Sequence, residues 1–335
     1  MTSSPQVFLH DIACFLDAHI VIIYAVLVVL ALVSQIGPLQ RLTQHGKSRY
    51  IRRQQQKSDG RRHASSSSSS WWQWITQGDV WMMTKQKFLH FYIWGTVVLV
   101  TMRLHDDYDM SWWFSNSRNA AQALLLLHLL RRWYECVHVH EWQTTSRMHF
   151  LIYIVGIVYY TLLPFIFCRV PHCRRPAVMA TTTTTTTTPG QADHDSKASS
   201  FIFLHVLAIP VCLYAQHQQA RHHVILANLR RKKDDKKDNV KSTTQQQQPN
   251  HSSSYQLPVG GWFTHVACPH YLAEILFYAG LAGLLLPATP GRAAVILLWV
   301  TTTLTLNALQ AQAWYQENIP GYGQLGRWAI FPYIV

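Results

Sequence analysis

The chain has 335 residues, 49% of them hydrophobic and only 13% Asp, Glu, Lys or Arg. A soluble globular domain carries about 25% of those charged residues, so an ordinary soluble fold is excluded. The net charge of +13 comes from 29 Lys and Arg against 16 Asp and Glu. In a nucleic-acid binder such residues would share one folded face. Here they lie between apolar runs, so a lipid bilayer is expected and a nucleic acid is not.

A bilayer core of about 30 Å needs roughly 20 apolar residues of helix. The runs that qualify, in chain order, are Ile12–Val33, Phe88–Met102, Ala120–Val139, Phe150–Phe167, Phe201–Tyr214, Tyr271–Leu286 and Ala293–Leu309. The first is too long for a signal-peptide core and has no basic start, so it reads as a retained span. The second is expected to begin a little earlier, around Trp81. The fifth is short. The expected fold is therefore an all-α, multi-pass membrane protein of seven helices, or six if the fifth run is re-entrant.

The intervening segments set the orientation. Between the first two spans lie Arg41, Lys47, Arg49, Arg52, Arg53, Lys57, Arg61, Arg62, Lys85 and Lys87. Between the fifth and sixth lie Arg221, Arg230, Arg231, Lys232, Lys233, Lys236, Lys237 and Lys241. Basic loops stay in the cytosol, which places the amino end in the lumen and the carboxyl end in the cytosol. The tracts Ser65–Ser70, Thr181–Thr188 and Gln245–Gln248 bury too little apolar area to fold and read as loop insertions. Asn250-His251-Ser252 fits a glycosylation sequon, but this topology puts it in the cytosol, unused. Cys14, Cys136, Cys168, Cys173, Cys212 and Cys268 form no CxxC pair, and neither disulfides nor a zinc site are expected from them.

Ionisable groups inside a span are costly and mark function. The third span carries His128, Arg132 and Glu135 at i, i+4 and i+7, on one helical face. Arg131, Tyr134 and His138 form the adjacent stripe. The bland reading is a snorkelling Arg pair with a Glu partner, but the charges extend over more than one turn. The sixth span opens with His270 and Glu274, one turn apart, where a helix start also offers free N–H groups to an anion. A structural His–Glu pair explains His270 equally well; Glu274 lies deeper. His217-x4-His222-His223 resembles one box of a di-iron hydroxylase, but the remaining boxes are missing, so no metal is expected. No P-loop, GxGxxG or nucleophile elbow occurs.

The chain closes with Asn307-Ala308-Leu309-Gln310-Ala311-Gln312-Ala313-Trp314-Tyr315-Gln316-Glu317-Asn318, Gly321-Tyr322, and Gly326-Arg327-Trp328-Ala329-Ile330-Phe331-Pro332-Tyr333. This ending resembles that of the steroid 5α-reductase family. Arg131–Cys136 with Met148-His149, and Gly261-Trp262-Phe263 followed by Pro269–Glu274, resemble the polyprenol reductase branch of that family. The resemblance spans the third to seventh runs and divides the chain into an amino-terminal part, 1–118, and a catalytic part, 119–335.

It implies a seven-helix fold in the endoplasmic reticulum membrane, NADPH as hydride donor, and reduction of a double bond conjugated to a carbonyl. The substrate would be a polyisoprenoid lipid on the route to dolichol; no protein partner is implied. It assigns catalysis to His128, Arg132, Tyr134 and Glu135, and cofactor contacts to His270, Glu274, Asn307, Tyr315 and Arg327. Leu129 stands where the steroid enzymes have Tyr, Gln310-Ala311-Gln312 replaces a family His, and Tyr322-Gly323 replaces Tyr-Pro. A 3-oxo-steroid reductase and an isoprenylcysteine methyltransferase using S-adenosylmethionine are the competing readings.

Overall fold

The computed structural model describes residues 5–35, 82–105, 116–142, 147–168, 192–242 and 256–334. Among the described residues there are seven helices: α1 (Pro5–Val33), α2 (Phe88–His105), α3 (Ser117–His138), α4 (Phe150–Phe167), α5 (Ala192–Ser242), α6 (Pro269–Leu285) and α7 (Pro290–Asn318). Each contains one of the expected apolar runs to within a residue at the run's ends, and α2 begins at Phe88 rather than around Trp81. The low-complexity tracts, the basic segment 41–62 and the sequon lie outside the described residues. Three helices, over His10–Val33, Phe150–Phe167 and Pro290–Asn318, are long and apolar enough to cross a membrane by length and composition. Their outer faces carry bare apolar side chains, as lipid contact requires: Ile22 is 61% exposed, Val29 57% and Leu298 52%.

Two details differ from the sequence expectation. The fold is not purely helical. Two three-residue strands, β1 (Met82–Thr84) and β2 (Arg147–His149), pair antiparallel just before α2 and α4, with Met83 opposite Met148. They use backbone groups that helices starting there would leave unpaired. The fifth run is not a short span but part of an unbroken 51-residue helix. Pro210 lies inside it and removes one backbone bond, yet packing against α6 carries the helix past it. A re-entrant fifth run would need a chain reversal, and α5 contains none.

Local chemistry sets the helix starts. The Asn116 side chain accepts a hydrogen bond from the Asn119 N–H at 2.9 Å and caps α3. His149 Nδ1 accepts from the Leu151 N–H at 3.2 Å and caps α4. Pro269 and Pro290 occupy the first turns of α6 and α7, where the missing N–H costs nothing.

In lipid, helices associate by close packing and internal hydrogen bonds rather than by the hydrophobic effect. Small residues permit the approach. A Cβ added at Gly280 of α6 would lie 2.5 Å from Cys212 Sγ and 3.1 Å from the Ala208 carbonyl oxygen of α5. A Cβ at Gly156 of α4 would lie 2.5 Å from the Phe91 ring of α2. Tyr24 of α1 sits edge-on to Tyr159 of α4 and Trp299 of α7, which ties the first helix into the bundle.

The helices alternate in direction and give the bundle two poles. At one pole Arg292, in the first turn of α7, donates to the Phe165 and Cys168 carbonyls at 2.6 and 3.0 Å and pairs with Asp17 of α1 at 2.8 Å. A cation there caps the exposed carbonyls closing α4. Gln122 of α3 adds a bond to the Phe167 carbonyl at 3.1 Å. Cys14, near this pole, is disulfide-bonded, against the expectation of no disulfide. Cys136, Cys212 and Cys268 are free thiols.

The other pole gathers the end of α1, the starts of α2, α4 and α6, and the ends of α3 and α7. Gln310 of α7 donates to Gln35, just past α1, at 3.0 Å. The carboxyl-terminal tail folds back here. Trp328 and Ala329 accept from the Ala267 and Cys268 N–H groups at 2.7 and 3.1 Å, which seats the tail against the start of α6.

Gly280→Val forces the α5–α6 contact apart and is expected to cost about 1–3 kcal/mol, measured as a lower thermal midpoint of the solubilised protein. Gly323→Ala, whose Cβ would meet nothing within 4 Å, is expected to leave that midpoint unchanged.

Candidate functional site

The polar pole holds a buried network built from α3, α5 and α6. Glu135 is its centre and is 3% exposed. One carboxylate oxygen takes the Arg131 guanidinium. The other lies 2.5 Å from Arg132 Nη1 and 2.7 Å from His223 Nδ1. Arg131 also donates to Gln219 Oε1 and, at 3.2 Å, to Gln216 Oε1. Gln219 passes the connection on, donating to Glu274 Oε2 at 2.8 Å. Arg132 reaches α2 through its Nη2, which donates to the Tyr92 hydroxyl at 3.0 Å. Two guanidiniums thus stand with two carboxyl groups and balance their charge inside the bundle, the condition for burying such groups at all.

Helical spacing explains the assembly. Arg131, Arg132 and Glu135 share the inward side of α3 because residues three and four apart neighbour one another. Cys212, Gln216, Gln219 and His223 fall at i, i+4, i+7 and i+11 along α5, a single stripe. Glu274, one turn inside α6, completes the ring. His128 lies flat on Phe277, with ring centres 4.3 Å apart. Its Nδ1 is 3.4 Å from Arg131 Nη2, and its Nε2 is buried with no partner among the described residues.

The network extends toward the tail through rings. His223 and His270 centroids are 5.6 Å apart, and His270 and Tyr271 centroids 4.2 Å. His270 Nδ1 is buried and has no partner among the described residues. His222 Nε2 accepts from the Trp262 N–H at 3.3 Å. Beyond this, Tyr315 packs against Tyr322 at 5.2 Å. Arg327 donates to the Pro258 carbonyl at 2.9 Å, while its own carbonyl accepts from Gln312 Nε2 at 2.7 Å.

The structure therefore brings together His128, Arg132, Glu135, His270 and Glu274 of the residues singled out in the sequence. Tyr134 lies elsewhere. It is 54% exposed on the outer side of α3, with its ring 4.6 Å from His138. Asn307 is half-buried on α7. No hydrogen bond among the described residues links Asn307, Tyr315 or Arg327 to the network. Sequence reasoning missed Gln216, Gln219, Tyr92 and the role of His223. The α5 stripe was readable as polar residues at helical spacing in an apolar run. Tyr92 had no signal, since an aromatic among aromatics looks like core.

Glu135, His140 and His223 bring potential metal ligands within 4.8 Å of one another. Burial, with the Arg132 charge adding, pushes His140 down to about 4, so its ring is neutral at pH 7. Yet the Arg132 guanidinium already occupies the gap, with Nη1 2.8 Å from His223 Nδ1. A divalent cation would meet that charge at close range in a low dielectric. The donor set suits a guanidinium better than a metal ion.

Removing Glu135 takes away the carboxylate that both guanidiniums contact and leaves Glu274 alone against two positive charges. Glu135→Ala is expected to destabilise the protein by about 3–5 kcal/mol, measured by thermal unfolding of the solubilised protein. The exposed Arg231–Glu141 pair, 2.6 Å apart, is the contrast: Glu141→Ala is expected to cost about 1 kcal/mol or less.

Residues 193–335 match the family 3-oxo-5-alpha-steroid 4-dehydrogenase. Polyprenal reductase 1 of Arabidopsis thaliana is 29% identical over 63% of this chain and 63% of its own length. Polyprenal reductase of Saccharomyces cerevisiae is 27% identical over 75% of this chain and 74% of its own. That of Xenopus laevis is 30% identical over 64% of this chain and 58% of its own. The chain thus spans less than two thirds of the plant and frog relatives. By this match and these relatives the chain is similar to the 3-oxo-5-alpha-steroid 4-dehydrogenase family over residues 193–335 and to polyprenal reductases over a longer stretch.

Proposed function

We propose that this protein reduces the α-isoprene double bond of a polyprenal with NADPH, in the endoplasmic reticulum membrane. The step lies on the route to dolichol and so supports protein N-glycosylation. The observation that carries the reading is the buried Arg131–Arg132–Glu135–Glu274 network at one pole of an apolar bundle, in a chain whose relatives are polyprenal reductases.

The chemistry argues for the aldehyde over the alcohol. Hydride adds to an alkene only when a conjugated carbonyl takes up the electron pair, and an allylic alcohol has none. The developing oxyanion needs hydrogen-bond donors fixed in a dry site. His128 and Arg132 are the groups of the network placed for that, with Glu135 holding Arg132 in position. The polyisoprene tail needs only apolar walls, which the lipid-facing helices supply. The catalytic part is residues 119–335.

The residues near the start of α6 fit a nicotinamide. Its carboxamide offers a donor and an acceptor. Glu274 has one oxygen bound to Gln219 and a second for the amide N–H, and His270 Nδ1 is a buried nitrogen without a partner among the described residues. When bound, the nucleotide supplies the hydride. Tyr315 and Arg327, on the seated tail, and Asn307, on α7, are assigned to the rest of its binding surface.

The topology proposed is seven spans, amino end lumenal and carboxyl end cytosolic. The alternation of the helices, the described basic residues Lys85, Lys87, Arg230 and Arg231 next to the polar pole and the disulfide at Cys14 near the opposite pole support it, since disulfides persist in the lumen. The network then faces the cytosol, where NADPH is available.

The test supplies purified protein and NADPH with a short polyprenal, the matching polyprenol and a 3-oxo-4-ene steroid. The aldehyde alone is expected to be consumed rapidly, and turnover confined to the alcohol or the steroid would overturn the reading. Glu274→Gln is expected to raise the KM for NADPH about 10–100-fold, the equivalent of losing ~1.5–3 kcal/mol from a charged hydrogen bond.

A further inference from the structure

We infer that Tyr92 of α2 is a catalytic residue whose hydroxyl donates to the substrate carbonyl oxygen, in concert with Arg132. The inference rests on the enal reading above and extends its site to a residue outside 119–335.

Tyr92 lies in the second turn of α2 and is 6% exposed. Its oxygen accepts from Arg132 Nη2 at 3.0 Å, and the guanidinium carbon stands 5.2 Å from its ring centre. The ring is wedged edge-on against Tyr160 at 5.4 Å. Position and orientation are therefore set from two sides. A phenol has one proton and two lone pairs. The bond from Arg132 uses a lone pair, and among the described residues nothing accepts the proton. A hydroxyl that accepts from a cation is polarised and becomes a stronger donor.

Of its neighbours, Arg132 Nε and His128 Nε2 are without a partner among the described residues; the other donors are committed. Arg132 Nη1 serves Glu135 and His223. Arg131 serves Glu135, Gln216 and Gln219, and the Gln219 amide serves Glu274. Tyr134, the phenol among the expected catalytic residues, is on the outer side of α3. Leu129, one turn before Arg132 on α3, is fully buried and brings no polar atom. It meets α2 close to Tyr92, with a Cδ1 3.6 Å from where Gly95 would carry a Cβ. A phenol at this crossing is thus supplied by α2, beside the Arg132 guanidinium of α3.

In the step itself a hydride forms a C–H bond at the β-carbon as the nucleotide is oxidised. The alkene pair shifts to join the α-carbon to the carbonyl carbon, and the carbonyl pair moves onto oxygen. Tyr92 hydrogen-bonds that oxyanion and keeps its proton. The α-carbon then takes a proton from water, giving the saturated aldehyde.

Tyr92→Phe keeps the ring contacts and removes only the hydroxyl. The first readout needs no NADPH: the carbonyl stretch of an isotopically labelled short polyprenal, by infrared difference spectroscopy. The band is expected to shift down on binding to the wild type and to Tyr160→Phe, and to lose that shift in Tyr92→Phe. The second is single-turnover hydride transfer, expected to fall about 10²–10³-fold in Tyr92→Phe with the KM values for both substrates within about two-fold.

A full shift and full rate in Tyr92→Phe overturn the inference and leave the enal reading standing, as does an equal loss in Tyr160→Phe. A wild type that neither binds nor reduces the enal sinks both. Should Tyr92→Phe fail to fold, fluorotyrosine at position 92 keeps the ring and makes the hydroxyl a stronger donor. The band is then expected to move further down, and an unmoved band overturns the inference.

Discussion

The carboxylate of Glu135 is the constraint on which the polar pole depends. Two guanidiniums and an imidazole converge on its two oxygens inside a bundle whose outer faces are bare apolar side chains. In that surrounding neither arginine could be kept inward alone; each would snorkel toward water or pull water in. With Glu135 in place, both side chains are held, and their remaining N–H groups can be directed. Arg131 is turned toward α5 and Arg132 toward α2. The helices are thereby connected through one anion, and the groups proposed to touch a substrate inherit their positions from it.

The two poles are built by the same rule with different purposes. Arg292 satisfies carbonyls that α4 leaves open and binds an aspartate of α1. Every one of its partners belongs to the protein, so it is a clamp. The opposite pole leaves groups unspent: His128 Nε2, His270 Nδ1 and the Tyr92 proton have no acceptor or donor among the described residues. Buried polar groups are normally satisfied. Exceptions occur elsewhere too, at Gln122 Oε1 and the Tyr24 hydroxyl, but those beside the start of α6 are the ones the proposed head-group and nucleotide site would use.

Much of this was legible in the residues. The helices stand where the apolar runs stand, because a span must satisfy its backbone internally and only a helix does so in one segment. His128, Arg132, Glu135, His270 and Glu274 stood out because charge and imidazole are conspicuous in apolar surroundings. The tail motif carried the family resemblance. The α5 contribution was half visible. Its His pair was noticed as a metal box, whereas the glutamines before it were overlooked. The structure uses Gln216, Gln219 and His223 as one stripe facing α3. The strand pair and the full length of α5 were not visible, since three-residue pairings and a helix running on through polar residues leave no periodic apolar signal.

What the sequence determined by itself is the solvent and the inventory: apolar runs of membrane length, basic segments between them, and a handful of ionisable groups too costly to bury without a use. What only the tertiary structure decided is which of those groups meet. Tyr134 and Tyr92 are both tyrosines in expected spans, and nothing in either stretch ranks one above the other. Rotation of α3 within the bundle turns Tyr134 outward, and the glycine-permitted closeness of α2 to α3 and α4 brings Tyr92 to Arg132. Helix rotation and approach are set by packing between segments far apart in the chain, and spacing along one helix carries no record of them.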